Sequence, residues 1–314
     1  MFRGAVFACA VAAAILSGSR APAATPRPAA DVWVASTRRL PGICRRPERA
    51  GIDVERLSGG DRGRWERASV DDLLAPGRPL VVFVHGNRYA AAEAKSEGVR
   101  FARLVASACP DAGPVRTVVF SWPSDQQGVL LRDVRAKYAR AHADGHYLAW
   151  LLGRVEPERP VAIVGFSFGA LVGLEALQDL EAADRDAGIP ASWTGRPGRT
   201  NLVFVAPAVR CDALAPRGPY RAAVAGIDRL TVVANSADCA LAFFPSVDRV
   251  TRAEALGTTA MPRRWLPPDL EYSAVDAAAI VGPQHSLALY LGSGSLARRI
   301  SAAAVAGFDA SATP

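Results

Sequence analysis

The sequence predicts an α/β protein with a mostly parallel, doubly wound sheet, and three observations lead to this prediction. Short apolar runs rich in Val, Ile and Phe alternate along the chain with longer stretches of helical spacing. The run Leu80–Val84 is apolar throughout, which is typical of a strand buried on both faces of a parallel sheet, and residues 115–120 are predicted to be the next buried strand. Polar residues suited to catalysis follow several of these runs, and in parallel sheets such residues collect at the carboxyl ends of strands.

The sheet is predicted to open with Asp31–Ser36. This run alternates apolar and polar residues, so we predict an edge strand with residues 52–57 as its partner, followed by a polar connection over residues 58–78. Further strands are predicted at residues 160–164, 201–206, 230–234 and 274–281. Helices are predicted to end near residue 108, to cover residues 129–154, and to begin after residue 169 and at Leu287, with the tail 292–314 forming a helix or an irregular segment.

The charge balance does not indicate a polyanion-binding protein. The formal net charge is +7, but the basic residues are scattered, and no run of Lys or Arg exceeds two residues. Basic patches that bind nucleic acid are clustered on one face or along one helix. We therefore expect no nucleic-acid partner.

The N-terminus has the pattern of an export signal. Arg3 precedes the uncharged stretch 4–16, and Ala21-Pro22-Ala23 fits the small-residue rule for cleavage. We predict a signal peptide over residues 1–23, a flexible leader over 24–30, and an exported (periplasmic or extracellular) protein. The apolar stretch is too short to span a bilayer, and no other stretch could do so, so no integral membrane span is expected.

Four cysteines would remain after cleavage, and an even number in an oxidising compartment suggests disulfides. Cys211 and Cys239 each follow a predicted core strand. We therefore favour a Cys211–Cys239 bridge together with Cys44–Cys109, while free, buried thiols remain the alternative. The cysteine spacing fits no zinc site.

The pentapeptide Gly165-Phe166-Ser167-Phe168-Gly169 is a G-x-S-x-G motif. It lies between a predicted strand and a helical pattern with leucines on one face, which is the context of a nucleophile elbow. Glycine is needed two residues either side of the serine because side chains there would collide in the strained turn. Ser167 is therefore the candidate nucleophile.

A serine hydroxyl needs a general base, and the chain has four histidines. His285 follows the last predicted strand, where a loop can bring an imidazole over the serine, so it is the preferred base. His85 adjoins the candidate oxyanion loop and is the alternative. His142 and His146 are four residues apart on a predicted helix; no third ligand adjoins them, so we expect solvated or packing side chains and no metal site.

The preferred acid is Asp238, which comes just after the predicted strand 230–234. Its alternative role is to cap a helix starting at residue 239, and Asp212 and Asp125 are the alternative acids. The order Ser, acid, His along the chain matches that of one known class of serine hydrolases.

An oxyanion formed at the serine needs backbone N–H donors. The residue after the nucleophile, Phe168, supplies one, and the Asn87 amide in His85-Gly86-Asn87 is the candidate for the second. Trp122, Phe166 and Phe168 suggest an apolar acyl pocket, with Trp122 and Phe166 as the candidate substrate-binding residues. Packing in the core is the alternative role for each of them. This chemistry requires neither a metal nor an organic cofactor.

These motifs resemble those of the α/β-hydrolases, and more narrowly those of a large bacterial family of uncharacterised members. The resemblance covers about residues 31–291 and implies the eight-stranded hydrolase sheet and a triad of Ser167, Asp238 and His285. Phe166 departs from the family's relatives, which commonly have His before the nucleophile. The matching motifs are His85-Gly86-Asn87, Phe120-Ser121-Trp122-Pro123-Ser124, Gly165-Phe166-Ser167-Phe168-Gly169, Asn235-Ser236-Ala237-Asp238-Cys239-Ala240-Leu241, Leu256-Gly257 and His285-Ser286.

The sequence thus predicts an exported serine hydrolase that cleaves an ester or related acyl bond of a small-molecule substrate. Acyl transfer by the same triad and a catalytically idle binding protein on this fold are the alternatives. The segment between residues 206 and 230 is too short for a large cap domain, so we expect activity on short acyl esters. The sequence does not indicate an oligomeric state.

Overall fold

The computed structural model describes residues 30–59, 63–108, 114–128, 130–182, 193–259 and 261–308. Their strands form one nine-stranded sheet in the order β3-β2-β1-β5-β4-β6-β7-β8-β9. The strands are β1 (Asp31–Ser36), β2 (Asp53–Ser58), β3 (Arg64–Ala68), β4 (Leu80–Val84), β5 (Arg116–Ser121), β6 (Val161–Phe166), β7 (Thr200–Val205), β8 (Arg229–Ala234) and β9 (Glu271–Asp276).

Helices connect the strands along the chain. They are α1 (Val70–Leu74), α2 (Ala91–Ala108), α3 (Leu130–Leu152), α4 (Phe168–Glu181), α5 (Phe244–Val247), α6 (Ala278–Val281), α7 (Leu287–Gly292) and α8 (Gly294–Val305). No helix among the described residues is long and apolar enough to cross a membrane.

The seven neighbouring strands β1-β5-β4-β6-β7-β8-β9 pair in parallel. The pairs β1–β2 and β2–β3 are antiparallel. The central strands of the sheet, β4 and β6, are buried along their whole length, because β-branched and aromatic residues fill both faces. The predicted fold class is therefore confirmed. Since parallel strands end at the same edge, the loops after β4, β6, β8 and β9 meet there.

The prediction of β1 as an edge strand is wrong. The strand lies between β2, its predicted partner, and β5, and residues 31–35 are buried. Its polar residue Asp31 is held inside by Arg116 of β5, with Nε 3.0 Å from Oδ2, and by the Trp33 indole, with Nε1 2.8 Å from Oδ1. A polar residue in an alternating pattern thus marks a buried ion pair here, not a solvent-facing edge.

Two further segments differ from the prediction. The connection 58–78 contains β3, which is the edge strand on this side and brings the sheet to nine strands. Its charged residues face solvent, so the segment lacks the apolar pattern from which a strand would be predicted. The predicted strand 274–281 is divided into β9 and α6. The break follows from Asp276, whose carboxylate accepts hydrogen bonds from the backbone N–H groups of Ser236 and Ala278 and so ends the strand.

The predicted Cys211–Cys239 disulfide is not formed, and both residues are free thiols. Each is held against a different segment: the Cys211 N–H donates to Glu254 O, and the Cys239 N–H donates to Pro283 O. Cys44 is a free, exposed cysteine. Its predicted partner Cys109 lies outside the described residues, as do the predicted signal peptide and all but Ala30 of the leader.

Candidate active site

Ser167 occupies a sharp turn between β6 and α4. Its backbone has φ 54° and ψ −121°, a conformation that is strained for a residue with a side chain. The flanking glycines make this turn possible. A Cβ on Gly169 would lie 2.1 Å from the Val84 carbonyl oxygen, and one on Gly165 would lie 2.6 Å from the Ala170 nitrogen. This is the geometry of a nucleophile elbow at the centre of the sheet.

Ser167, His285 and Asp238 form a continuous hydrogen-bonded chain. His285 Nε2 lies 2.8 Å from Ser167 Oγ, and His285 Nδ1 lies 2.7 Å from Asp238 Oδ2. Asp238 is fully buried, whereas His285 is partly exposed. The arrangement allows the imidazole to take the serine proton while the carboxylate stabilises the resulting imidazolium.

Asp238 also fills the helix-capping role that was its alternative interpretation. Its Oδ1 accepts hydrogen bonds from the N–H groups of Ala240 and Leu241, at 2.9 and 3.0 Å. Each carboxylate oxygen therefore has its own partners, and the two roles coexist. Because both oxygens are bound, the carboxylate is fixed in orientation toward His285.

The loops that carry the acid and the base are joined directly. Asn235, just after β8, donates from Nδ2 to Gly282 O at 2.8 Å, and the Cys239 N–H donates to Pro283 O at 3.1 Å. These bonds hold the His285 loop against the Asp238 loop. The hydrogen-bonded geometry thus depends on loop contacts as well as on the parallel strands β8 and β9.

The alternative acids are committed elsewhere. Arg210 donates two hydrogen bonds to Asp212, at 2.8 and 2.7 Å, and these bonds keep the pKa of Asp212 below its usual value despite partial burial. Asp125 is paired with Arg38 at 2.5 Å. Neither carboxylate hydrogen-bonds His285.

The loop after β4 lies against the serine. A Cβ on Gly86 would lie 2.9 Å from Phe166 Cδ1 and 3.0 Å from Ser167 Cβ, so any side chain there would force these neighbours to shift. The next residue, Asn87, lines the cavity beside Ser167. Phe168 is the first residue of α4. Among the turn, loop and cap hydrogen bonds of the described residues, none is donated by the backbone N–H of Asn87 or of Phe168. They are therefore available to an oxyanion, and the N-terminus of α4 adds a positive dipole end.

His85, the alternative base, is a buried structural residue. The Trp122 N–H donates to its Nε2 at 3.2 Å, which leaves the proton on Nδ1, 2.9 Å from Gly86 O. Complete burial lowers the pKa of His85 to about 3, so the ring stays neutral. It holds the candidate oxyanion loop and makes no hydrogen bond to Ser167.

Of the two candidate substrate-binding residues, Phe166 lines the cavity and Trp122 does not. Phe166 lines the cavity and stacks on the His285 ring at 5.0 Å. Trp122 is completely buried and absent from the cavity wall; it stacks on His85, and its Nε1 donates to the His85 carbonyl at 2.8 Å. Trp122 therefore packs against the candidate oxyanion loop and does not line the cavity.

His142 and His146 face α4 across the helix interface. His142 Nδ1 lies 2.8 Å from Glu175 Oε2, and His146 Nδ1 lies 3.2 Å from Asp179 Oδ2. The two acidic partners come from another helix, so adjacency in the sequence could not reveal them. Over the described ranges, no group of three His, Cys, Asp or Glu side chains could hold a metal ion.

A cavity of about 760 Å³ opens beside Ser167. Its walls include apolar residues that the sequence analysis did not assign to a pocket: Leu131, Val134, Leu241, Phe243, Phe244 and Val247. The run Leu241-Ala242-Phe243-Phe244 directly after the acid was the available signal, because three large apolar residues in a short loop segment exceed what a connection needs.

A family model described as "Alpha/beta hydrolase of unknown function (DUF900)" matches residues 66–265. The chain belongs to this family. The predicted family resemblance and the α/β-hydrolase fold are thereby confirmed.

Solved structures of two esterases are similar to this α/β-hydrolase. Esterase B from Lactobacillus rhamnosis is 11% identical with a TM-score of 0.41, covering 88% of this chain and 85% of its own. A bacterial heroin esterase is 14% identical with a TM-score of 0.35, covering 82% and 79%. No curated protein matches the chain.

The neutral state of His85 predicts a pH dependence of stability. The unfolded chain binds a proton on this histidine below pH 6.5, whereas the folded protein does not until about pH 3, so stability is lost as the pH falls through this window. At pH 5 the loss amounts to about 2 kcal/mol. Urea unfolding at pH 7.5 and pH 5.0 measures it.

The matched variant is His85→Gln, whose amide can accept from Trp122 and donate to Gly86 without titrating. Lowering the pH from 7.5 to 5.0 should reduce the free energy of unfolding of both proteins, and the reduction should be about 2 kcal/mol smaller in the variant than in the wild type. Equal losses in both proteins would show that His85 is not held neutral.

Asp238→Asn should lower turnover of an ester substrate about 10⁴-fold, because the amide favours the wrong imidazole tautomer. The Asn carbonyl oxygen can still accept the N–H bonds of Ala240 and Leu241, so the unfolding midpoint should stay close to that of the wild type. Asp212→Asn and Asp125→Asn serve as controls and should retain turnover. A large loss in either control, with full activity in Asp238→Asn, contradicts this assignment.

Proposed function

We propose that this α/β-hydrolase is a serine esterase that cleaves small-molecule esters through an acyl-enzyme. The hydrogen-bonded chain from Ser167 Oγ to His285 Nε2, and from His285 Nδ1 to Asp238 Oδ2, supports the proposal, at 2.8 and 2.7 Å. A base within hydrogen-bond reach of a hydroxyl, itself oriented by a buried carboxylate, is the arrangement that activates a serine.

In the acylation step, Ser167 Oγ attacks the ester carbonyl carbon while His285 Nε2 takes the hydroxyl proton. The carbonyl oxygen becomes an oxyanion, which the N–H groups of Phe168 and Asn87 stabilise. Collapse of this intermediate breaks the bond to the alcohol, and His285 returns the proton to the departing alkoxide. The acyl group is then attached to Ser167.

Deacylation repeats the sequence with water. His285 removes a proton from the water as its oxygen attacks the acyl carbon, and the oxyanion forms again at the same two N–H groups. The proton then passes to Ser167 Oγ as the carboxylic acid leaves. Asp238 does not take the proton in this cycle; its carboxylate stabilises the imidazolium at each step. The cycle uses only residues of this chain.

The test is covalent labelling with a biotinylated fluorophosphonate probe, which modifies serines activated in this way. The wild type should be labelled, and Ser167→Ala should not, because the attacking oxygen is lost. Ser295→Ala removes an exposed hydroxyl on α8 and should be labelled like the wild type. A folded, unlabelled wild type would instead favour a catalytically idle binding protein.

We also propose that the protein is exported after cleavage of residues 1–23. The support is the N-terminal pattern of Arg3, an uncharged stretch and Ala21-Pro22-Ala23. The expressed wild type should appear outside the cytoplasm with its N-terminus at residue 24, as measured by fractionation and N-terminal sequencing. Ala12→Arg interrupts the apolar stretch and should leave an uncleaved cytoplasmic chain. A wild type that stays in the cytoplasm and begins at residue 1 contradicts the proposal.

A further inference from the structure

We infer that the cavity beside Ser167 is an acyl pocket for uncharged aliphatic chains of about six carbons or more, with Leu131 and Phe243 as the residues that select them. The inference rests on the proposed esterase function, because it places the ester carbonyl at Ser167. It differs from the expectation of short acyl substrates, which relied only on the absence of a large cap.

The size of the cavity points to a group larger than acetyl. Its volume of about 760 Å³ is within the range of sites that enclose whole small molecules, about 300–1,000 Å³. An acetyl group on Ser167 would leave most of this space to water. A longer chain would replace that water with contacts to the walls.

The chemistry of the walls points to an uncharged chain. One wall is formed by Leu131 and Val134 of α3, and the other by apolar residues of the segment 241–247. Among the described residues that line the cavity there is no carboxylate and no lysine; Arg88 is exposed, and His285 belongs to the catalytic chain. An anionic tail would have only the exposed Arg88 as a partner and a cationic tail would have none, so either would lose its hydration along the apolar walls.

Two apolar side chains are exposed where the walls meet solvent. Phe243 is 69% exposed and Leu131 is 40% exposed, although both line the cavity. Exposed apolar surface that continues into a cavity marks a ligand-binding groove. An aliphatic chain running from Ser167 would cover both side chains and remove their exposed apolar surface from water. This burial would favour binding of the chain.

The two walls are joined to each other. Arg135 of α3 donates from Nη2 and Nε to Ser246 O of the facing segment, at 2.9 and 3.2 Å. Leu131 lies four residues before Arg135 and so on the same side of the helix. The bridge therefore links the helix that carries Leu131 to the segment that carries Phe243.

The walls are also joined to the catalytic residues. Asp238 Oδ1 binds the first N–H groups of the segment that carries Phe243. Behind the pocket, the Tyr138 ring packs between Phe168 and Phe244, with centroid distances of 5.8 and 6.0 Å. The pocket is thus fixed relative to Ser167, and its shape should discriminate between acyl chains.

The experiment measures how strongly alkylboronic acids protect Ser167 from the fluorophosphonate probe. These acids bind a catalytic serine reversibly and place their alkyl group in the acyl pocket. Each methylene buried adds about fourfold in affinity. Hexylboronic acid should therefore protect the wild type at a concentration at least tenfold below that of methylboronic acid.

Phe243→Ala and Leu131→Ala should each reduce this preference for hexyl over methyl by about threefold or more, and the double variant should reduce it further. Both side chains are exposed, so the variants should fold normally. Val250→Ala is the matched control, because Val250 is 92% exposed and does not line the cavity; it should keep the wild-type preference.

The possible results separate this inference from the proposed function. If the wild type is labelled but both boronic acids protect equally, or if the two variants retain the wild-type preference, the acyl-pocket inference is wrong and the esterase proposal stands. If the wild type is not labelled at all, the esterase proposal itself fails. A shift of Val250→Ala as large as that of Phe243→Ala also overturns the assignment of the selecting residues.

Discussion

The candidate site depends on the hydrogen bonds that the Asp238 carboxylate accepts. One oxygen fixes the His285 imidazole, and the other caps the segment that begins at Ala240 and carries the pocket wall. Hydrogen bonds to a charged carboxylate oxygen are stronger than hydrogen bonds to a neutral oxygen. The same buried group therefore sets the position of the base and the position of one wall of the cavity, and neither can move without affecting the other.

Close backbone packing at the centre of the sheet places the serine. Gly169 lies against the Val84 carbonyl, and Gly86 lies against Ser167, so the elbow and the loop after β4 approach without side chains between them. This contact places Asn87 beside the serine, and Asn87, Ser167 and Phe168 line the same cavity. The strained turn persists because these neighbours leave it no alternative conformation.

Local patterns were sufficient for the parallel sheet and for Ser167, because an elbow requires particular residues at fixed spacing. They were not sufficient where the deciding contact came from a distant segment. Asp31 looked like a residue of an exposed edge until Arg116 supplied its buried partner. Cys211 and Cys239 could not be paired from their positions after two strands, since each is bound to a different loop. Three-dimensional contacts, which a single sequence does not contain, decided these cases.

The two histidines beside the serine show how environment alone separates structural from chemical roles. His85 is enclosed completely, with both ring nitrogens bound to neutral backbone groups, and burial keeps it uncharged. His285 is partly exposed and faces a buried carboxylate, so a charge that forms on it has a partner. An imidazole can act as a proton shuttle only where its charged form is stabilised. The loop after β4 therefore holds its shape without competing for the serine proton, and the loop after β9 carries the candidate base.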